Sequence, residues 1–406
     1  MSADGGARDG ESIESIESIE SIESIELGDL GLDEGAHLLV DRALRAQPSA
    51  RVRGTAPSLA VDLPAWCRAR GHHLERAAAD FVVTRGPADR RRGAERAGTA
   101  AAPEAHAPAR WGLAARGALV EPGGPALPLP LADRREVWAD EAARLYAQAA
   151  AAQWDPATAI PWDTPITHPE EVEDAIVQVM TYLIENETAA LLVPVRFLGR
   201  LHPHFREVMQ LLAIQAADEA RHIEVFTRRA RLRREALGLS TAGGQASLAT
   251  LFDEPSFAIA SFLLAVLGEG SFLALLWFLR DHAPDPCTRA VAQLAAQDEA
   301  RHVAFGLAHL GRHVGEDPAL RDQLAAAIER RHAALAHTAG LGAEVFDALI
   351  LLAAGGWAPA DLRRGHAAVV ELSREMAAGR TQRLVRLGFD PDRAARLSGL
   401  HTRNFM

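Results

Sequence analysis

Two kinds of hydrophobic pattern divide the chain. From Glu23 to Gly86 apolar residues come in short bursts between turn residues. "ESIELGDL" at 23–30 and "ARVRGTA" at 50–56 predict strands, and "ERAAADFVVTRG" at 75–86 ends in a third. "GAHLLVDRALRAQ" at 35–47 predicts a helix with Leu38, Leu39, Ala43 and Leu44 apolar, and "DLPAWCRARG" at 62–71 a shorter one. The order βαβαβ is that of a small two-layer α/β unit. From Leu131 the period lengthens to that of helices and stays there. "ADRREVWADEAARLYAQAAAAQ" at 132–153 predicts one helix and "THPEEVEDAIV…" at 167–198 the next. Pro169 followed by Glu170 and Glu171 makes a good helix start. Further helices are predicted over about 203–236, 255–281, 285–311, 317–338, 342–353 and 359–386, several with the broad apolar faces of buried bundle helices.

Four segments follow. Residues 1–22 hold the acidic repeat "ESIESIESIE…", whose period of three suits neither strand nor helix, and are expected to be disordered. Residues 23–86 form the α/β unit. Residues 87–130, rich in Ala, Arg, Gly and Pro, read as a linker with an ordered patch near Trp111. Residues 131–406 form the helical domain.

Composition narrows the function classes. The net charge is −11 with no polybasic tail, which argues against nucleic acid and anionic membrane as partners. No run of 18 apolar residues is free of charge, so no membrane span is expected. The acidic start of the chain and two isolated cysteines, Cys67 and Cys287, fit a cytoplasmic protein.

The pentapeptide Asp-Glu-Ala-Arg-His occurs twice, at 218–222 and 298–302. On a helix, Glu219 shares its face with Leu212, Gln215, Ala216, His222, Ile223 and Phe226. Glu299 shares its face with Ala292, Ala295, Ala296, His302, Val303 and Gly306. A carboxylate in a dry core is costly unless paired or bound to metal, and Glu-x-x-His presents two ligands to one site. A dinuclear helical site needs two more carboxylates from the remaining helices. Glu269 is the only charge between Pro255 and Arg280. Glu187 lies on the apolar face of Met180, Leu183, Ile184, Ala190 and Leu191; its rival Glu185 has the more polar neighbours Gln178, Thr181, Tyr182 and Thr188. Glu187 precedes Glu219 by 32 residues and Glu269 precedes Glu299 by 30, spacings that suit two antiparallel hairpins. Asp218 and Asp298 are placed to accept the second ring N–H of the histidine on the partner helix, with Arg221 and Arg301 one turn on to neutralise them. Phe226, Phe272, Leu273, Phe305 and Trp277 are candidate pocket residues. His168, His202, His204, His309 and His313 read as solvent-side or capping residues.

On these residues the chain resembles the ferritin-like di-iron carboxylate superfamily, whose Asp-Glu-x-Arg-His signature both copies match. The resemblance covers roughly 131–310. It implies a mainly α fold: a ferritin-like helical bundle with extra C-terminal helices, preceded by the small α/β (βαβαβ) domain. It implies Glu187, Glu219, His222, Glu269, Glu299 and His302 as ligands to two iron ions, Fe/Fe or Mn/Fe, that activate O₂. Phe226 stands where reductase small subunits carry a radical tyrosine, Leu273 where many hydroxylases carry a threonine, and Ala295 where arylamine N-oxygenases carry an extra histidine. No rubredoxin-type cysteine pairs are present, so an external electron donor, a reductase or ferredoxin, is expected. The N-terminal unit resembles TusA-like sulfur carriers through "VDLPAWCRARGH" at 61–72 and "FVVTRG" at 81–86. Its first helix start, 31–37, has no cysteine, so docking or recognition is expected there in place of sulfur transfer.

The expectation for function is a di-iron oxygenase or oxidase acting on a small organic substrate by C- or N-oxygenation or desaturation, as a homodimer. The alternatives are a ferroxidase or peroxide-scavenging protein and an inactive helical interaction module.

Overall fold

The structure, a computed structural model, describes residues 22–86, 93–336 and 343–400. The acidic repeat at 1–21, the start of the expected linker at 87–92, and residues 337–342 and 401–406 lie outside the described residues. The chain divides into two compact units, one of Met1–Glu95 with Leu119–Gly123, the other of Arg96–Ala118 with Gly124–Met406.

The first unit runs β1 (Ser24–Glu26), α1 (Ala36–Ala46), β2 (Ser49–Arg53), α2 (Leu59–Arg70), β3 (His73–Ala77) and β4 (Asp80–Thr84). The sheet order is β1-β2-β4-β3, with β1 and β2 parallel and the other pairs antiparallel. The expected βαβαβ order therefore lacks one strand. β3 reads His-Leu-Glu-Arg-Ala and buries no residue fully, so it carries no alternating apolar signal. It forms as the hairpin partner of β4, through a turn that holds Ala78 at φ 56°. Ala36, Val40 and Leu44 of α1 and Leu59, Leu63 and Cys67 of α2 pack on Ala50, Val52 and Val83 of the sheet. Leu38 and Leu39, expected on the apolar face, point outward at 62% and 38% exposure.

The second unit is mainly α. Its helices are α3 (Arg134–Val137), α4 (Ala142–Ala151), α5 (Glu170–Leu198), α6 (Arg206–Ala230), α7 (Ala242–Phe252), α8 (Phe257–Ser261), α9 (Gly270–Asp281), α10 (Pro286–Glu316), α11 (Leu320–Leu335), α12 (Ala343–Ala354), α13 (Pro359–Arg386) and α14 (Pro391–Gly399). Between α8 and α9 the chain is wound as a π-helix over Phe262–Glu269. α5 packs along α6, and the π segment with α9 packs along α10. This is the expected bundle with extra C-terminal helices. Local chemistry sets its starts. Asp285 caps α10 by accepting from Thr288 N at 2.8 Å, with Pro286 at the first position. Thr241 and Ser256 cap α7 and α8 in the same way.

Two expectations are corrected here. Residues 96–118, read as part of a linker, fold with the helical unit. Trp111 is buried against His204, and the buried Arg116 bonds both Glu207 and the His204 carbonyl. The helix predicted over 132–153 is broken at Trp138–Glu141. The Glu136 carbonyl, which a continuous helix would use internally, instead accepts a hydrogen bond from His309 Nε2 at 3.0 Å. His313 bonds the Trp138 backbone in the same manner.

Those histidines were expected at the solvent side. His202, His204, His309 and His313 are all buried. His202 does cap, its Nδ1 accepting from His204 N at 3.1 Å. Burial pushes His204 down to about 4, helped by Arg116, and His309 to about 4. These are neutral rings that tie segments together.

α5, α6 and the start of α10 are cross-tied by one guanidinium. Arg229, with 0% exposure, donates to Glu173 at 2.8 and 3.0 Å, to Asp285 at 2.8 Å and to Thr288 Oγ at 2.7 Å. His168 closes the network on Glu173 at 2.7 Å. Burial alone would raise both carboxyls. Arg229 more than offsets this, and Glu173 and Asp285 sit below their usual range.

By length and composition, Glu170–Leu198 and Phe257–Asp281 are apolar enough to cross a membrane, although both carry several charged residues. In the structure 67% and 83% of those windows are buried within the protein.

Arg229→Ala should cost about 3–5 kcal/mol in denaturant unfolding at neutral pH, because it strands two buried carboxylates. The folded carboxyls are depressed, so the stabilisation is complete above the unfolded values near 4 and is lost as pH falls through the folded ones. The stabilities of the variant and the parent should therefore converge in acid.

Candidate metal centre

Four helical segments each bring one carboxylate to the middle of the bundle: Glu187 from α5, Glu219 from α6, Glu269 from the end of the π segment and Glu299 from α10. All four are at most 3% exposed. With His222 and His302 they form two groups: Glu187, Glu219, His222 and Glu299, and Glu219, Glu269, Glu299 and His302. Within each group one ligand atom per residue lies within 4.8 Å of every other. Glu219 and Glu299 belong to both groups and so sit between them. Glu185, the rival to Glu187, is half-buried and belongs to neither.

The rings are oriented. His222 Nε2 faces Asp298 at 3.2 Å, and His302 Nε2 faces Asp218 at 3.4 Å. Each histidine is thus held by the aspartate of the other Asp-Glu-Ala-Arg-His helix. Both Nδ1 atoms point inward. His222 Nδ1 is 3.3 Å from Glu219 and 3.5 Å from Glu299, and His302 Nδ1 is 3.0 Å from Glu219 and 3.5 Å from Glu299. Arg221 donates to Asp218 at 2.5 Å and to Asp298 at 2.9 Å; Arg301 pairs closely with Asp298 and lies 3.9 Å from Asp218.

This outer ring of two aspartates and two arginines sums to zero charge. The inner set does not: four carboxylates face two imidazoles. Among the described residues, His222 Nδ1, His302 Nδ1, Glu187 Oε1, Glu269 Oε2 and both oxygens of Glu219 and Glu299 are buried without a hydrogen-bond partner. Buried polar atoms are rarely left so. Two divalent cations would supply the missing partners and cancel the four negative charges, so the residues fit a dinuclear carboxylate site. Without cations, protons carry the balance. Burial and the neighbouring Glu219 and Glu299 push Glu187 well above the ordinary carboxylate range; burial, with Glu299 next, does the same to Glu269. Burial opposes charge on His222 and His302, but the carboxylates around them raise both. Burial also opposes charge on Glu219, and the two imidazoles override it and hold that carboxyl low.

The π winding that carries Glu269 is itself clamped. Arg383 Nε donates to the Val266 carbonyl at 2.6 Å, and Arg380 donates to Ser271 Oγ at 3.0 Å. A Cβ at Gly270 would lie 2.4 Å from Arg383 Nε, so a larger residue there would push this guanidinium out of its present place. π-turns concentrate at functional sites.

Two participants escaped the sequence reading. Gln153 donates to Asp218 at 2.8 Å and accepts from Arg221 at 2.6 Å; Trp154 Nε1 donates to Asp298 at 2.8 Å. Their only signal is a Gln-Trp pair just past a helix end, which no spacing rule ties to helices 65 and 144 residues downstream. Gln215, noted only as a face neighbour, reaches Glu269 at 3.4 Å. The candidate pocket residues separate. Phe305 lines a narrow cavity of about 20 Å³ beside Gln215, bounded also by Val193, Leu212, Phe257 and Leu264. Phe226 instead lies against His222 and Phe272 against Tyr182, Leu273 is half-buried, and Trp277 lies under Arg280.

No family model matches the chain, and no curated relative does. Among solved structures it is similar to R2-like ligand-binding oxidases. One variant, with an Mn/Fe cofactor, is 17% identical, with 64% of this chain and 92% of that one covered and a TM-score of 0.42. Another, with an Fe/Fe cofactor, is also 17% identical, with 60% and 92% covered and a TM-score of 0.47.

Asp298→Asn and Asp218→Asn keep side-chain size but weaken the hold on His222 and His302. Each should lower divalent-metal affinity about 10- to 100-fold, read by Co(II) titration. Unchanged affinity in both would mean that the aspartates do not orient the ligands.

Proposed function

We propose that the helical unit is a dimetal oxidoreductase, an O₂-activating oxidase or oxygenase acting on a small organic substrate. The observation that carries this is the set of inward-facing, partnerless carboxylate and imidazole atoms at the centre of an apolar bundle. Glu187, Glu219, His222, Glu269, Glu299 and His302 would hold the metals, two irons or a manganese–iron pair. When bound, such a pair supplies the electrons for reducing O₂.

The chain's own residues do the rest. Asp218 and Asp298 fix the tautomer of each histidine so that the Nδ1 lone pair faces inward. Arg221 and Arg301 keep those aspartates ionised; Asp298 is held far below its usual range, burial notwithstanding, by His222 and then Arg221. Trp154 and Gln153 cover the aspartates. The apolar wall of Leu212, Leu264 and Phe305 keeps water from the Gln215–Glu269 side. Gln215, with its amide aimed at Glu269, can steady that carboxylate as it changes partners. An external reductase or ferredoxin would return the electrons.

For the N-terminal unit we propose docking or recognition, the sulfur-carrier likeness notwithstanding. Cys67 is buried, and burial pushes its thiol up to about 11, the reverse of what a sulfur-transferring thiol needs. Cytoplasmic location and a homodimer remain part of this reading.

Anaerobic Fe(II) titration followed by O₂ tests the metal claim. Two irons per chain should bind, and O₂ should then be consumed with little mineral formed. Glu269→Ala should abolish stable loading of the pair while far-UV circular dichroism stays helical. Fewer than two irons in the parent protein would sink the reading. Continued iron uptake and mineral growth would favour the ferroxidase alternative.

A further inference from the structure

A second cavity, of about 650 Å³, opens where α3, the start of α8 and the end of α10 meet. Its size is that of a small-molecule site. Leu131, Pro255, Phe257 and Leu320 give it apolar walls. His313 also lines it, at 5% exposure, and its Nε2 has no hydrogen-bond partner among the described residues. The ring is held from behind by the Trp138 backbone carbonyl, the group freed by the break between α3 and α4. His309, one turn earlier, is held by the Glu136 carbonyl and stands 4.3 Å from His313, ring to ring. An imidazole that donates on one side presents a lone pair on the other, so Nε2 of His313 is a buried, unpartnered acceptor in the cavity wall. Burial, with His309 and Arg312 adding to it, holds His313 down to about 3, so the ring stays neutral.

The charged groups of the wall are unequally occupied. Glu316 pairs with Arg312 at 2.6 Å, and Asp317 accepts from Ala319 N at 3.0 Å. Arg135 and Arg200 line the same cavity, and neither makes an ion pair among the described residues. Glu136 remains beside them, its carboxyl pushed upward by burial and by Asp133.

We propose that this cavity binds a small organic carboxylate that also carries a hydroxyl or amino group. Arg135 and Arg200 take the carboxylate, His313 Nε2 accepts the donor hydrogen, and the apolar wall takes the body between. Phe257 lines both this cavity and the narrow one beside Gln215 and Phe305. The pocket is therefore separated by one aromatic ring from the cavity that Gln215, the hydrogen-bond partner of Glu269, lines. As the substrate site of the oxidation above, the assignment rests on that reading; as a binding site it does not.

Calorimetric titration of the full chain, with and without Fe(II), tests it, using 4-hydroxybenzoate and 6-hydroxyhexanoate as probes. At least one should bind saturably in both metal states. The Arg135→Ala/Arg200→Ala double variant should weaken binding at least tenfold; both side chains are exposed, so the fold should survive. His313→Leu should erase the preference for 4-hydroxybenzoate over benzoate while benzoate binding is kept. Absence of saturable binding by both probes, or binding unchanged in the double variant, overturns the proposal. Probe binding without iron loading would support the pocket while failing the metal reading.

Discussion

Four carboxylates converge with two imidazoles in the buried middle of the helical unit, and the rest of that unit is arranged around the cost of keeping them there. An isolated buried charge costs several kcal/mol even after relaxation. The protein spreads this cost over shells of opposite sign. The imidazoles of His222 and His302 lie against the carboxylates, and the aspartates that steer those imidazoles are cancelled by Arg221 and Arg301. What is left over is a charge of the size that two divalent cations remove. The atoms that are costly to bury are the same ones that could hold a metal pair.

Holding six such groups in register requires stiff helices, and the ties that stiffen them sit at the ends of the site. Arg229 fastens α5, α6 and the start of α10 through Glu173 and Asp285. At the Glu269 end α13 reaches in with Arg383, which donates to the Val266 carbonyl of the π winding, and Arg380, which donates to Ser271 Oγ at the start of α9. The C-terminal helices are thereby joined to the chemistry. They support the one ligand segment that departs from α geometry.

What was legible in the sequence was whatever repeats at helical spacing. Glu219 with His222, Glu299 with His302, and the lone Glu269 stand out because charge on an apolar stripe is conspicuous. Glu187 could be ranked above Glu185 by the polarity of its neighbours, and the structure places only Glu187 in the cluster. What stayed hidden depends on contacts between distant segments. β3 has no pattern of its own and exists because β4 pairs with it. The break at Trp138 depends on carbonyls claimed by His309 and His313 from another helix. Those histidines read as surface residues because nothing nearby in sequence marks the carbonyls that bury them. Gln153 and Trp154 are invisible for the same reason. The π winding leaves no trace in an all-apolar run, where every residue is inward-facing whatever the pitch.

The exchange of partners between the two Asp-Glu-Ala-Arg-His helices has a consequence for how the unit comes apart. His222 is steered by Asp298, and His302 by Asp218. Neither hairpin therefore contains a complete half of the site. Cut between α7 and α8, the chain would yield two fragments, each with a histidine free to turn and an aspartate with nothing to steer. The two halves resemble subunits that have traded arms and then been joined end to end. Opening either hairpin takes away the aspartate that steers the other's histidine, so local opening in one half is felt in both.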